Sequence, residues 1–256
     1  MPLQTAEAIV IRAQNLGEAD RAITFYTRGK GKVRAVAEGI RRIRSRFSGS
    51  LELFAFGTLV YFERLNKTLH RINEFALLEP FQHLREDLEL LIHGSYLLEL
   101  TDASVEEGEV NEELFFLLLQ ALRSLAAGRE PALLHRAFEI RLLKILGYLP
   151  ELRSCVLCRI SLPRSGTLAL SPSQGGLLCP ECQPGVRDSS LLSRASLTFL
   201  WEALRTDFVA FIEVKPPQEV GVELAELLRG YLSYFLGRSF RSVDFLARLS
   251  AFSKQG

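Results

Sequence analysis

The sequence predicts a multi-domain protein of mixed α and β class, with a small β-barrel at the N terminus and a C-terminal all-α domain that carries an inserted four-cysteine module. Three observations lead to this fold class. The first 79 residues contain short β-rich segments, apolar residues recur at helical spacing from position 80 onward, and all four cysteines of the 256-residue chain fall between positions 155 and 182. The predicted domains are 1–79, 80–150, 151–183 and 184–256, where the second and fourth are two parts of one helical domain.

Five short strands are predicted in the N-terminal segment. They span residues 6–12, 21–27, 32–38, 58–64 and 69–78. Glycine-containing turns follow the first and second strands, and Asn66-Lys67 is the turn between the fourth and fifth. In the third strand Val33, Ala35 and Ala37 share one face, because successive side chains of a strand point to opposite sides. Five short strands with tight turns favour a closed barrel, and the OB-fold is the usual five-stranded solution. Residues 39–56 are the irregular connection between the third and fourth strands.

Helical periodicity replaces the strand pattern after Pro80. Asn111 is a candidate N-cap of a helix that ends near Gly128, and Pro131 begins a helix that Gly147 closes. Three more helices are predicted over about 196–207, 220–236 and 243–249. The segment from 80 onward is therefore expected to be helical, apart from the cysteine module.

The cysteines form two Cys-x-x-Cys pairs separated by twenty residues, which is the spacing of a structural zinc site. Each pair places two thiolates on one side of a metal, and four thiolates leave no coordination position for a substrate or an activated water. Two disulfides or a redox dithiol are the alternatives, but the N-terminal residues do not resemble a secretory signal and neither pair follows a βαβ pattern. The sequence predicts a structural Zn²⁺ bound by Cys155, Cys158, Cys179 and Cys182.

Positive charge is concentrated in the N-terminal segment, although the whole chain has a formal net charge of only +1. Residues 1–79 contain 13 Lys and Arg against 8 Asp and Glu, whereas residues 80–150 contain 6 against 12. A dense basic cluster is typical of a surface that binds a phosphate backbone, and a plain solvated face is the alternative. The predicted DNA-binding residues are Arg28, Lys30, Lys32, Arg34, Arg41, Arg42, Arg44 and Arg46.

Aromatic residues are interleaved with this cluster, at Phe25, Tyr26, Phe47, Tyr61 and Phe62. About half of these rings are expected to point into the barrel core, and the others are expected to stack on the bases of a single strand.

Sequence motifs of the common enzyme classes are absent. There is no Walker A sequence, GxGxxG, GxSxG or trusted carboxylate pair, and the four histidines are scattered along the chain. The absence of these motifs predicts that the protein is not an enzyme. The longest apolar stretches are also too short to cross a bilayer, so no membrane association and a cytoplasmic location are expected.

Several ordered stretches resemble the RecO family of bacterial recombination mediators. They are Glu7-Ala8-Ile9-Val10-Ile11, Gly17-Glu18-Ala19-Asp20-Arg21, the stretch from Gly39 to Phe54, Leu146-Gly147-Tyr148-Leu149-Pro150 before the first cysteine pair, and Ser171-Pro172-x-x-Gly175-Gly176 before the second. The resemblance covers nearly the whole chain in the same order. Some members of that family lack the cysteines, so the zinc prediction rests on this sequence itself.

The resemblance implies a DNA-binding recombination mediator in DNA repair. Such proteins bind single- and double-stranded DNA, anneal complementary strands, act on DNA coated by single-strand-binding protein (SSB), and work with RecR to load RecA. This implies RecR and SSB as partners, RecA indirectly, and a place at the nucleoid during repair. Two alternatives stay open: an RNA-binding, translation-associated OB-plus-zinc module, and a protein–protein adaptor whose helical half is the interface. In an adaptor, Leu197, Phe199, Leu200 and Trp201 could form the apolar contact surface, but their helical spacing favours core residues.

Overall fold

The computed structural model describes residues 2–42, 45–47, 49–64, 68–162, 168–214, 217–240 and Ser242. These residues form two compact units. One contains the chain up to Ala127 together with the described residues from Phe240 onward, and the other is Gly128–Ser239. The boundary between the units falls within segment 80–150, which the sequence assigned to one helical part. The four domains named above stay a prediction.

A closed five-stranded barrel forms the core of the first unit. Its strands are β1 (Leu3–Leu16), β2 (Asp20–Thr27), β3 (Gly31–Ala37), β4 (Phe56–Phe62) and β5 (His70–Glu79), in the order β1-β2-β3-β5-β4. β3 and β5 pair in parallel, and β4 returns to pair with β1 antiparallel, which closes the barrel. The predicted OB-fold barrel is confirmed. The long β1 is bent by a register shift between Val10 and Arg12.

The barrel interior is filled by the face of β3 that the alternation predicted. Val33, Ala35 and Ala37 are buried in the same cluster as residues of every other strand. Phe47 and Leu51, from the connection between β3 and β4, pack into this cluster and are 2% and 0% exposed. The connection therefore lacks regular structure but still contributes apolar side chains to the barrel core.

The described residues of the first unit also form the helices α1 (His83–Glu86), α2 (Leu88–Ser104) and α3 (Glu112–Ala126). The side chain of Asn111 accepts a hydrogen bond from the backbone N–H of Leu114, which confirms it as the N-cap of α3. The loop before α3 lies against the start of β3, where Gly31 has a φ of +63° and a Cβ would overlap the backbone of Glu109. Only glycine fits at this close approach.

The second unit combines helices with the cysteine module. Its helices are α4 (Pro131–Ile145), α5 (Arg194–Arg205), α6 (Phe208–Phe211) and α7 (Gln218–Leu236), and α4, α5 and α7 pack on one another. Between α4 and α5 lie β6 (Leu168–Ser171), β7 (Gly176–Leu178), a 3₁₀ turn (Gln183–Gly185) and β8 (Ser190–Leu192). The predicted helix over 243–249 lies outside the described residues. Within the described ranges, no helix is long and apolar enough to cross a membrane.

Candidate nucleic-acid interface and metal centre

The predicted basic cluster is divided between the two ends of the barrel. Arg28 and Lys30 lie in the turn after β2, whereas Arg41 and Arg42 follow β3 and lie beside the turn that precedes β2. The eight residues of β2 separate these two ends by about 23 Å, at roughly 3.3 Å for each step along a strand. Arg34 lies in the middle of β3 and is exposed. Arg44 lies outside the described residues.

At the end that follows β2, acidic side chains pair with two of the predicted cations. Arg28 lies 3.1 Å from Glu7 and 3.6 Å from Glu112, and its guanidinium group covers the ring of Phe116. The glutamates raise the pKa of Arg28, with the hydrogen bond to Glu7 as the largest cause. Their charges offset much of what Arg28 would otherwise present to an anion.

Lys32 is held in the same region by an acid of α2. Its Nζ donates to Asp102 Oδ1 and to the Asp102 carbonyl oxygen, both at 2.9 Å, and its side chain is only 14% exposed. Lys32 thus joins β3 to the end of α2. Lys30, at the tip of the turn, is exposed.

At the opposite end, the chain after β3 is fixed while its cationic side chains remain at the surface. Gly39 donates its backbone N–H to Asp20 Oδ1 at 2.7 Å, and the Arg41 backbone N–H donates to the Ala19 carbonyl at 3.0 Å. These bonds hold the chain against the β1–β2 turn. Arg41 and Arg42 are exposed, and an Arg41 side-chain N–H donates to the Gly17 carbonyl oxygen at 3.3 Å.

Arg46 is exposed in the same connection. Its guanidinium group donates to the Ile72 carbonyl oxygen at 3.3 Å and lies 4.7 Å above the ring of Phe47. Arg46 therefore reaches the start of β5, where further cations lie.

Two of those cations, Arg64 and Arg71, were missed by the sequence analysis. Arg71 is exposed on β5 beside Val36 of β3, and Arg64 follows β4. Both approach Glu38, the single acid in the predicted cluster, at 3.0 Å for Arg71 and 3.9 Å for Arg64. The parallel pairing of β3 with β5 brings them together, and no local spacing in the sequence signals that pairing.

Strand register adds Arg12 to the exposed cations. Arg12 on β1 lies opposite Thr24 on β2, and Thr24 lies opposite Arg34 on β3, so these three side chains form a row across the outer face. Arg12 is 57% exposed and 3.9 Å from Asp102. The strand pattern shows that Arg12 is polar, but only the register places it beside Arg34.

The aromatic residues near the cluster are more deeply buried than the sequence suggested. Phe25, Tyr26, Phe47 and Tyr61 are all at most 3% exposed, and only Phe62 is partly exposed. The expectation that about half of these rings would be available for stacking is wrong. The side chains at the barrel end beside the β1–β2 turn instead provide positive charge and hydrogen-bond donors, which can bind a phosphate backbone.

The four cysteines come together as the spacing predicted. Their Sγ atoms all lie within 4.8 Å of one another, and Cys158 Sγ is 3.7 Å from Cys179 Sγ. Thiolates on a tetrahedron about 2.3 Å from a zinc ion would lie about 3.8 Å apart. None of the four is in a disulfide. The arrangement fits a four-coordinate metal ion bound by Cys155, Cys158, Cys179 and Cys182.

The backbone around Cys155 favours its ionised form. Burial raises the pKa of this thiol, but backbone N–H groups of Cys158, Cys179 and Leu157 outweigh burial and lower the pKa to about 6. The thiolate is the form that binds metal. The pKa of Cys182 is instead raised to about 12, first by its hydrogen bond with Cys179, since four adjacent thiols do not all ionise without a cation.

Short strands and backbone hydrogen bonds hold the two cysteine turns in place. The Val156 N–H donates to the Leu177 carbonyl, and the Leu177 N–H donates to the Glu151 carbonyl. At Gly176 a Cβ would lie 2.6 Å from Val156 Cγ1 and 2.8 Å from the backbone carbonyl oxygen of Glu151. The segment 151–156 can therefore approach β7 this closely only because position 176 is glycine. Gly176, the first residue of β7, thus has a packing role.

The apolar contact surface considered for an adaptor lies mostly in the core. Leu197, Phe199 and Leu200 are at most 6% exposed and pack within the second unit. Trp201 differs, because it is half-buried and lines a groove between the end of α4 and the end of α5.

Comparison with known proteins matches both parts of the chain. The model described as "Recombination protein O N terminal" covers residues 1–81, and "Recombination protein O C terminal" covers 85–244. "DNA repair protein RecO" of Moorella thermoacetica is 36% identical over 94% of this chain and 89% of its own length. The proteins with that name from Roseiflexus sp. and Pelotomaculum thermopropionicum are 38% and 35% identical, over 94% and 97% of this chain and 83% and 95% of their own lengths.

Proposed function

The chain belongs to the recombination protein O family of DNA repair proteins, and from that premise we propose that it is a DNA-binding recombination mediator. It binds single- and double-stranded DNA, anneals complementary strands, and assists RecR in loading RecA onto SSB-coated DNA. RecR, SSB and, indirectly, RecA are its partners, and it acts in the cytoplasm at the nucleoid during repair. No step requires covalent chemistry, so the protein is a mediator and not an enzyme.

The observation that carries this proposal is the exposed pair Arg41 and Arg42 at the barrel end beside the β1–β2 turn. Arg64 and Arg71 from the neighbouring strands add positive charge there, of which the shared carboxylate of Glu38 offsets one unit. Guanidinium groups form paired, charge-assisted hydrogen bonds to phosphate oxygens, and each neutralised phosphate releases counterions. Binding should therefore depend steeply on salt and little on base sequence.

The burial of the barrel rings bears on strand annealing. A strand that is held through its phosphates, without stacking on Phe25 or Tyr61, keeps its bases available for pairing. The cations also reduce the repulsion between two phosphate backbones and raise the local concentration of the second strand. This accounts for annealing through electrostatics alone.

The metal of the cysteine site is proposed to be a structural Zn²⁺. A complete set of thiolate ligands supports zinc in a closed tetrahedral site, where the metal supplies folding free energy. The ion would join the turn at Cys155 to the turn at Cys179.

Strand-annealing rates and fluorescence anisotropy test the proposal. The full-length protein is titrated with single-stranded DNA, double-stranded DNA and RNA of matched sequence across a salt series. The variant R41E/R42E is compared with R187E/R229E, which makes the same charge change in the second unit. We expect R41E/R42E to lower DNA affinity and annealing rate by about tenfold or more, because two phosphate contacts become repulsive, while the control stays within about twofold.

Two results would overturn this function. Equal annealing rates for R41E/R42E and the control would remove the barrel end from the mechanism. Tighter binding to RNA than to DNA under the same salt conditions would favour the translation-associated alternative.

A further inference from the structure

The groove that Trp201 lines has a volume of about 560 Å³ and lies on the second unit, apart from the DNA-binding and metal-binding residues proposed above. Its walls come from the end of α4, the segment that follows α4, and the last turns of α5. The side chains that line it include Lys144, Leu149, Leu152, Arg153, Trp201 and Arg205.

The groove is positively charged. Lys144, Arg153 and Arg205 are all exposed, whereas Glu151 is the single acid among the lining residues. The Glu151 carboxylate already accepts a hydrogen bond from the backbone N–H of Arg153 at 2.6 Å. Three cations against one acid match an anionic ligand.

Aromatic rings accompany these cations. Trp201 is half-buried, with Arg205 one helical turn further along α5. At the other wall, Leu149 follows Tyr148, whose ring is stacked on Phe235 at 4.6 Å with an interplanar angle of 21°. Tyr148 is 42% exposed and the adjacent Tyr234 is 54% exposed. Trp201 is thus the aromatic ring in the groove, and further exposed rings belong to the segment that precedes Leu149 and to α7.

We propose that this groove is a binding site for single-stranded nucleic acid, in which a base stacks on Trp201 and Lys144, Arg153 and Arg205 contact the flanking phosphates. Every base has a π face, so rings set among basic side chains match successive nucleotides without a sequence preference. An acidic peptide would satisfy the cations, but Trp201, which lies among them in the groove, matches the flat face of a base better than an acidic side chain. The observations therefore favour nucleic acid.

The site differs in kind from the barrel end. Rings near the barrel cations are almost all buried, whereas Trp201 is partly exposed in the groove. A strand in the groove is held through a stacked base as well as through its phosphates, and a strand at the barrel end is held through its backbone alone. The following experiment tests the two sites independently.

Trp201 provides a direct test, because it is the only tryptophan of the chain. Full-length R41E/R42E protein, in which the barrel end is weakened, is titrated with a 12-nucleotide oligothymidylate while tryptophan emission is recorded. Stacking predicts saturable quenching of that emission. The added substitutions K144E/R205E should weaken the affinity measured from quenching by about tenfold, and R187E/R229E should leave it within about twofold.

The contribution of the Trp201 ring to affinity is measured by fluorescence anisotropy with a fluorescently labelled form of the same 12-nucleotide oligothymidylate, in the R41E/R42E background. W201A should weaken groove binding by about tenfold, and W201F should restore most of it because phenylalanine keeps a stacking face. Unchanged tryptophan emission at a saturating oligonucleotide concentration would overturn the proposal. A shift of emission with an acidic peptide but none with the oligonucleotide would also overturn it and identify a peptide site. Quenching in the R41E/R42E protein, together with an annealing rate for R41E/R42E equal to that of the unsubstituted protein, would support the groove while contradicting the proposed barrel function.

Discussion

The two ends of the N-terminal barrel both carry cationic side chains, but only one end leaves most of them available. After β2, Arg28 is paired with glutamates and Lys32 is bonded to Asp102 of α2. Beside the β1–β2 turn, Arg41 and Arg42 are exposed, and Arg41 makes only a backbone contact there among the bonds described. Two parts of one basic stretch therefore have different roles.

The difference shows how an acidic segment can decide where a basic surface forms. Residues 80–150 contain twice as many acidic as basic residues, and this segment supplies both Asp102 and Glu112 to the barrel end after β2. Asp102 makes Lys32 part of the internal structure of the first unit, whereas Glu112 and Glu7 offset the charge of Arg28 at the surface. At the opposite end Arg64 and Arg71 share the single acid Glu38, so a net positive charge remains there for binding.

The largest expected effect comes from removing the metal. This change should lower the stability of the protein without altering DNA binding by the barrel. Treatment with a strong chelator, or the substitution C155S, should markedly lower the melting temperature of the protein, because thiolate coordination contributes folding free energy. Metal content by mass spectrometry should be one Zn²⁺ for each chain before treatment. DNA binding by folded protein should persist, since both barrel ends lie in the first unit. An unchanged melting temperature after complete metal loss would contradict a structural role.

A smaller effect is expected from D102A. It leaves the Lys32 ammonium, only 14% exposed, without its carboxylate partner, and should reduce the free energy of unfolding by about 1–3 kcal/mol. Urea denaturation measures the loss, and E106A, which removes an exposed acid of the nearby loop, is the control. Single-strand affinity should change by less than about twofold. A large change in affinity without loss of stability would show that Lys32 belongs to the DNA surface.

The substitution E38Q should produce a modest gain of function. It frees Arg64 and Arg71 from their shared carboxylate, and exposed ion pairs of this kind contribute about 0.2–1 kcal/mol. DNA affinity should therefore rise by roughly two- to fivefold at low salt, measured by anisotropy. Reduced affinity would mean that Glu38 positions the arginines for DNA rather than competing with it.

Much of the architecture could be predicted because its causes are local. Alternation placed Val33 and Ala35 in the barrel core, Asn111 is an N-cap by its own side-chain chemistry, and cysteine spacing alone predicted the cluster. β8 was missed because three residues are too few to show a period.

The composition of the DNA surface depends on contacts between distant residues, and these could not be predicted. Lys32 meets Asp102 across 70 residues, and Arg71 meets Glu38 through the parallel pairing of β3 with β5. The burial of Tyr26 likewise depends on tertiary contacts, since its hydroxyl group donates to the Asn111 carbonyl at 2.9 Å. Sequence composition identified the basic segment, but tertiary pairing decides which members of it remain available.

The claim that the two barrel ends differ in DNA binding is tested most directly by the salt dependence of single-strand binding. Two single substitutions are compared, R42Q at one end of the barrel and R28Q at the other. Each removes one positive charge from a turn or connection of the same barrel. The slope of log K against log salt concentration should become shallower by about 0.7 for R42Q, corresponding to one lost phosphate contact, and should stay unchanged for R28Q. Equal reductions for both variants would contradict the claim that local acids remove Arg28 from the binding surface.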